Sequence, residues 1–166
     1  MATELQTYHR VLDELYAQMD EVLDGLEPEA LLWKPFENSP WKGPSGQLGW
    51  VIAHGLSSTI YLLRLAEYCA GRREYSAVDG DQGRDEFTPA NHDPANLRER
   101  ARRTREMAHA ILDGFTPADL DAERPHPKRP ERVFTARHSI VHAIDHLSQH
   151  IGHAQLTRQL WALRQA

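Results

Sequence analysis

Five of the chain's ten histidines lie within residues 137–153, RHSIVHAIDHLSQHIGH, and four of them, His138, His142, His146 and His150, recur at every fourth position. Imidazole is the side chain that exchanges protons near neutral pH and, when neutral, binds transition metals. On a helix, residues four apart differ by about 40° in direction and about 6 Å in rise, so two neighbouring histidines can place ring nitrogens on one ion. This is the spacing of helical H-x-x-x-H zinc sites. His138 and His150 would be about 120° and about 18 Å apart, so the row cannot form a single site.

Which pair could do chemistry depends on which face is buried. Ile140, Ala143, Leu147, Ala154 and Trp161 define an apolar side, and His146 and His150 fall at its edge. His142 and His153 lie further round. A helical H-x-x-x-H alone is more often a pair of half-exposed polar residues than a metal site, and it needs a third ligand from elsewhere. His54, in LGWVIAHGLSSTIYLL, is the candidate, beside an apolar stripe on the flank of Ser58 and Leu65. A lone histidine in such a place is more often a hydrogen-bonded core residue. Yet three histidines from two helices, each at the margin of a core-facing stripe, make the set for a three-coordinate site open to water.

The elements that must position these residues are helical. Leu5, Tyr8, Leu12, Leu15, Tyr16, Met19, Val22, Leu23 and Leu26 follow the i, i+3, i+4 rule and predict a first helix over 4–26. Pro35, Asn38, Pro40, Gly43, Pro44 and Gly46 make a turn-rich connection, with Ser45 as N-cap for a second helix over 46–71 and Gly71 as its C-cap. Residues 72–93 are polar, broken by glycine and proline, and read as a long connection. Leu97, Ala101, Thr104, Met107, Ala108, Ile111 and Leu112 predict a third helix over 94–115. Residues 116–132 hold four prolines, which deny a long regular element. The fourth helix runs from about 134 to 163. No strand alternation of useful length appears. The expectation is an all-α four-helix bundle, one domain over 1–166, with a long crossover between helices two and three that places them parallel.

Bulk properties exclude several classes. A net charge of −5 and a pI near 6.0 argue against general nucleic-acid or anionic-membrane binding. The basic run Arg98–Arg105, RERARRTR, reads as the solvated face of a helix. Apolar runs are short and the N-terminus is acidic, so the expectation is a soluble cytoplasmic protein. One cysteine, Cys69, excludes an internal disulfide and a cysteine-rich zinc site, so any metal must be held by His, Asp or Glu. Cys69 itself reads as a small buried residue, and His9 and His109 as ordinary helix residues. Trp50, Tyr61 and Trp161 are core aromatics that could also line a pocket. Asp145 lies about 100° from His146 around the helix and is no ligand, though it could orient a histidine of a neighbouring helix.

The segments LGWVIAH, ending in His54, and HLSQHIGH, with His146, His150 and Gly152, resemble the two signatures of the DinB/YfiT-like family. In that family a histidine closes an L-x-x-x-x-x-H pattern in helix two, and helix four carries H-x-x-x-H-x-G-[QH]. LLWKPFENSPW resembles the Trp-Lys-Pro turn that follows the family's first helix. His153 takes the place where many members have glutamine, a departure that leaves the three histidines intact. The resemblance implies an up-down-down-up bundle, usually a homodimer, binding a divalent metal, zinc or nickel, through His54, His146 and His150. It further implies a metal-dependent enzyme acting on a small molecule, of the hydrolase type or a transferase using a low-molecular-weight thiol such as bacillithiol, mycothiol or glutathione. His142 and His153 could then support the metal or the substrate. The competing reading is a non-catalytic bundle whose metal is structural, or a stress-related binding protein.

Overall fold

In a computed structural model, residues 3–38, 46–79 and 85–165 are described. Four long helices dominate: α1 (Glu4–Leu23), α3 (Leu48–Cys69), α5 (Pro94–Asp113) and α6 (Ala136–Gln165). Two short helices, α2 (Pro28–Leu32) and α4 (Tyr75–Asp79), follow the first and second of these.

Each long helix begins or ends where local chemistry satisfies its free backbone groups. Thr3 and Gln6 form a reciprocal capping box on α1, each side chain bonding the other's backbone N–H. Asp93 accepts the Ala95 N–H at 2.9 Å and Pro94 opens α5. Thr135 accepts the His138 N–H at 3.0 Å at the start of α6. At the end of α3, Gly71 has φ +76° and donates to Tyr68, while Arg72 donates to Glu67, the paired bonds of a Schellman cap. α1 stops three residues earlier than its apolar spacing predicts, because Gly25 takes φ +64° and turns the chain. The expected cap Ser45 lies outside the described residues.

One apolar cluster is built from all four long helices, with Leu12 and Met19 of α1, Ile52, Leu56 and Leu63 of α3, Leu97 of α5 and Ile140, Ala143 and Leu147 of α6 fully buried. α3 is the most deeply packed helix, and its most extensive contact is with α6. α1 touches α5 and α6, and α3 touches the same two. Named contacts give the pairing of ends. Arg137 reaches Glu4, and Arg158 donates to the Val22 carbonyl at 2.8 Å. Arg105 bonds Asp13, and Arg98 donates to the Leu23 carbonyl.

Two connections differ from the sequence expectation. The prolines of residues 116–132 do not prevent a hairpin: β1 (Glu123–His126) pairs antiparallel with β2 (Arg129–Thr135), in register Glu123↔Thr135 and Arg124↔Phe134. Proline is tolerated because both strands of a two-stranded sheet are edges. β2 is mostly exposed, so no in-out alternation marks it in the sequence. The connection after α3 contains α4 and a 3-10 turn, Pro89–His92, instead of irregular chain alone. That turn seats against α3 at Gly49, where a Cβ would lie 2.1 Å from the Asn91 carbonyl oxygen. No helix among the described residues is long and apolar enough to cross a membrane.

Candidate metal centre

The crossing of α3 and α6 is unusually close at Gly55. A Cβ built there would lie 2.7 Å from the His150 Cβ, so only glycine lets the two helices meet at this point. The residue before it, His54, is thereby brought against His146 and His150. Ring centroids lie 4.5 Å apart for His146 and His150, 4.9 Å for His54 and His150 and 5.4 Å for His54 and His146. Three imidazoles bound to one ion by metal–nitrogen bonds of about 2.0–2.1 Å have centroids about 5 Å apart. Each residue offers one ring nitrogen, and the three atoms fall within 4.8 Å of one another.

The electrostatics of the cluster favour an ion as well. Nδ1 of His146 and Nδ1 of His150 are buried without a hydrogen-bond partner, an expensive arrangement for polar atoms. Burial, with the neighbouring imidazoles adding to it, pulls the His150 pKa down to about 4. The same causes lower His146. Both rings are therefore neutral at pH 7, the form whose lone pair can coordinate. The residues present fit a divalent cation.

Sequence reasoning missed a fourth participant. Oε2 of Glu86 lies 2.8 Å from Nδ1 of His54, and the glutamate is only 4% exposed. Facing a carboxylate, Nδ1 is the protonated nitrogen and donates, which leaves the Nε2 lone pair for a ligand. Glu86 comes from the polar stretch read as a plain connection, and it is held firmly. Buried Asn91 donates from Nδ2 to the Glu86 carbonyl at 2.9 Å and to the Asp85 carbonyl at 2.6 Å. Arg100 of α5 grips both carboxylate oxygens of Asp85 at 2.8 and 2.9 Å and also reaches Ser57. The Arg100 guanidinium holds the Asp85 carboxyl below the usual carboxylate range. Arg100 is 8% exposed, so the basic run is not a wholly solvated face. Its membership in that run hid its role, because only the fold shows which arginine turns inward.

The family profile of the DinB superfamily matches residues 12–154. The chain belongs to the DinB superfamily. Among solved structures, the protein described as "YfiT from Bacillus subtilis is a probable metal-dependent hydrolase with an unusual four-helix bundle topology" aligns with a TM-score of 0.63. It shares 16% identity, with 98% of this chain and 91% of that one covered. A conserved protein from Enterococcus faecalis aligns with a TM-score of 0.62 and 20% identity, covering 96% of this chain and 98% of the other. These likenesses establish a shared bundle fold. No curated protein matches the chain.

The remaining candidates divide around this DinB centre. His142 is exposed, with its ring 6.0 Å from that of His146, and His138 follows at 5.9 Å from His142. His153 is exposed and outside the cluster. Asp145 accepts from Gln149 at 2.8 Å and orients no histidine among the described residues. Trp50 does lie near the site: it meets exposed Phe87 edge-on at 5.8 Å, and Phe87 stacks on His54 at 6.2 Å. Trp161 packs against Trp33 instead, and Tyr61 lines a separate cavity of about 240 Å³ with Ser57, Arg100 and Thr104. Cys69 is buried, as expected. His9 and His109 are more than ordinary helix residues. Their Nδ1 atoms lie 2.7 Å apart in stacked rings, flanked by Asp113 and Asp13 at 3.3 and 2.9 Å, and the pair ties α1 to α5.

Proposed function

We propose that this DinB-superfamily protein holds a divalent metal ion, zinc or nickel, through His54, His146 and His150, and is a metal-dependent enzyme acting on a small molecule. The observation that carries the reading is a set of three clustered imidazoles, one of them held by a buried carboxylate, with no fourth His, Cys, Asp or Glu ligand in the cluster among the described residues. Structural zinc is almost always closed by four protein ligands, whereas a three-ligand set keeps a position open to substrate. The ion supplies a Lewis acid that polarises a substrate and makes a nucleophile available near neutral pH.

The protein's own residues prepare that chemistry. Glu86 accepts the Nδ1 proton of His54, fixing both its tautomer and its ring direction. His146 and His150 stay neutral and so add no repulsion to a cation. Phe87 and Trp50 give one side of the site an apolar wall against which a substrate's apolar part can rest. The pairings of helix ends run α6 parallel and α5 antiparallel to α1, as an up-down-down-up order requires. The relative named as a probable metal-dependent hydrolase supports hydrolysis as the reaction type. Thiol transfer with a low-molecular-weight thiol would use the same centre, and the working state is a homodimer.

The test is elemental analysis of the purified protein followed by a screen of the metal-loaded form. About one divalent ion per chain, together with hydrolase activity or with thiol transfer to a model electrophile, supports the reading. An ion that binds and raises stability without any turnover in either screen would favour a structural metal. Absence of binding at all three histidines would overturn both.

A further inference from the structure

We propose that His138 and His142 form a second, weaker site for the same class of divalent cation, exposed on α6, through which an ion passes to His146, His150 and His54. The inference rests on the reading of the buried centre as a metal site. It concerns residues outside that centre.

The spacing is that of a chelating pair. His138 and His142 are four apart on a continuous helix, both are exposed, and their centroids lie 5.9 Å apart. Two imidazoles on one ion need about 5 Å, a change that exposed side chains reach by small rotations about their own bonds. Among the described residues no hydrogen bond engages either ring. Arg137, the neighbouring cation, is paired with Glu4 and Asp121 and is thereby held away from a bound ion.

The other histidines outside the centre are committed elsewhere. His9 and His109 spend their nitrogens on each other and on Asp113 and Asp13. His126 meets the Tyr75 hydroxyl at 3.1 Å and accepts the Lys128 N–H, while His92 lies 2.9 Å from Gln47 Oε1. His153 is exposed, but the residues four away from it are Gln149 and Thr157. Among the described residues, His138 and His142 therefore stand apart as a pair with the spacing and with ring nitrogens that no hydrogen bond engages.

Continuity with the buried centre gives the pair its direction. Rings follow one another at 5.9, 6.0 and 4.5 Å from His138 to His150, passing from exposed to half-buried positions. Each pair shares one histidine with the next. An ion can thus move inward by exchanging one imidazole at a time and losing its water in steps, instead of all at once at the buried site.

The experiment is a nickel titration of the metal-free full chain at pH 7.5, with loading from a nickel chelate followed in time. Wild type should show a tight class near one per chain and a separate weaker class. His138→Ala/His142→Ala should keep the tight class, lose the weaker one and load the tight site several-fold more slowly, while His153→Ala changes neither. His138→Asn/His142→Asn, with circular dichroism as a check on folding, separates loss of ligands from loss of structure. Retention of the weaker class in both double variants overturns the site. Loss of that class with an unchanged loading rate overturns the route inward. A missing tight class in wild type instead sinks the reading of the buried centre, a distinguishable result.

Discussion

Glu86 and His54 are joined by a 2.8 Å hydrogen bond between a buried carboxylate and Nδ1 of the imidazole, although thirty-two residues separate them in the chain. The bond ties the connection after α3 to the histidine cluster, and it makes the proposed metal centre depend on residues outside the three histidines. Glu86→Gln should weaken divalent-metal affinity by about 10–100-fold, the usual cost of losing such an orienting carboxylate. A competition titration against a chelator of known affinity checks this. An unchanged Kd would mean that His54 needs no partner to face the site.

Arg100 should act on the metal through Asp85 and Glu86. Replacing it with leucine removes a bidentate grip on a carboxylate that water can then solvate, at a cost of up to about 1 kcal/mol. Arg100→Lys should recover little, because a single ammonium cannot reproduce the fork. The pH dependence has a definite sign. The Asp85 pKa is lowered in the fold, so its contribution is whole at neutral pH and declines as pH falls below about 4, through its folded value. Thermal melts across pH 2–7 should show a smaller loss on acidification in Arg100→Leu than in wild type.

The two glycines flanking the histidines should behave in opposite ways. Gly55→Ala places a Cβ 2.7 Å from the His150 Cβ, so it should lower Tm and weaken metal binding together. Gly152→Ala meets nothing within 4 Å in this chain and should stabilise α6 by about 0.5–1 kcal/mol through helix propensity alone. Melting curves of both variants, with and without nickel, decide the matter. Destabilisation by Gly152→Ala would show that another surface, such as a second copy of the chain, packs there.

Alanine at His54, His146 or His150 should each abolish tight metal binding, while His138→Ala leaves it in place. Thermal shift reads this directly: an ion at one hundred times its Kd stabilises wild type by about 2.7 kcal/mol, and the three variants should show no such gain. Equal losses from all four substitutions would contradict the assignment of ligands.

Cys69 is 3% exposed, and burial raises its thiol pKa, so little thiolate forms at pH 8. A disulfide reagent should modify it slowly in the native protein and rapidly in denaturant. Fast native modification would place Cys69 within reach of solvent and reopen a reactive role.

Much of the bundle is legible in the chain because helices are local objects. The apolar spacing of α1, α5 and α6, with Gly71, locates the long elements to within a few residues. The hairpin Glu123–Thr135 is not legible, since its strands are proline-bearing edges with mostly exposed side chains that leave no alternating pattern. His146 and His150 could be singled out on α6 because helical spacing limits an ion to neighbouring histidines and the apolar face picks out this pair.

Glu86, Arg100 and Gly55 belong to the other category. Nothing in a polar loop says which acid will be buried, and nothing in RERARRTR says which arginine will turn inward. Those facts depend on how α5 and the connection after α3 pack on the rest, and such long-range packing has no local spacing to betray it. The sequence by itself determined that only neighbouring histidines of α6 can share an ion, because the helix sets their separation. Tertiary structure decided which carboxylate holds His54 and how close α3 comes to His150, because both rest on contacts between residues far apart in the chain.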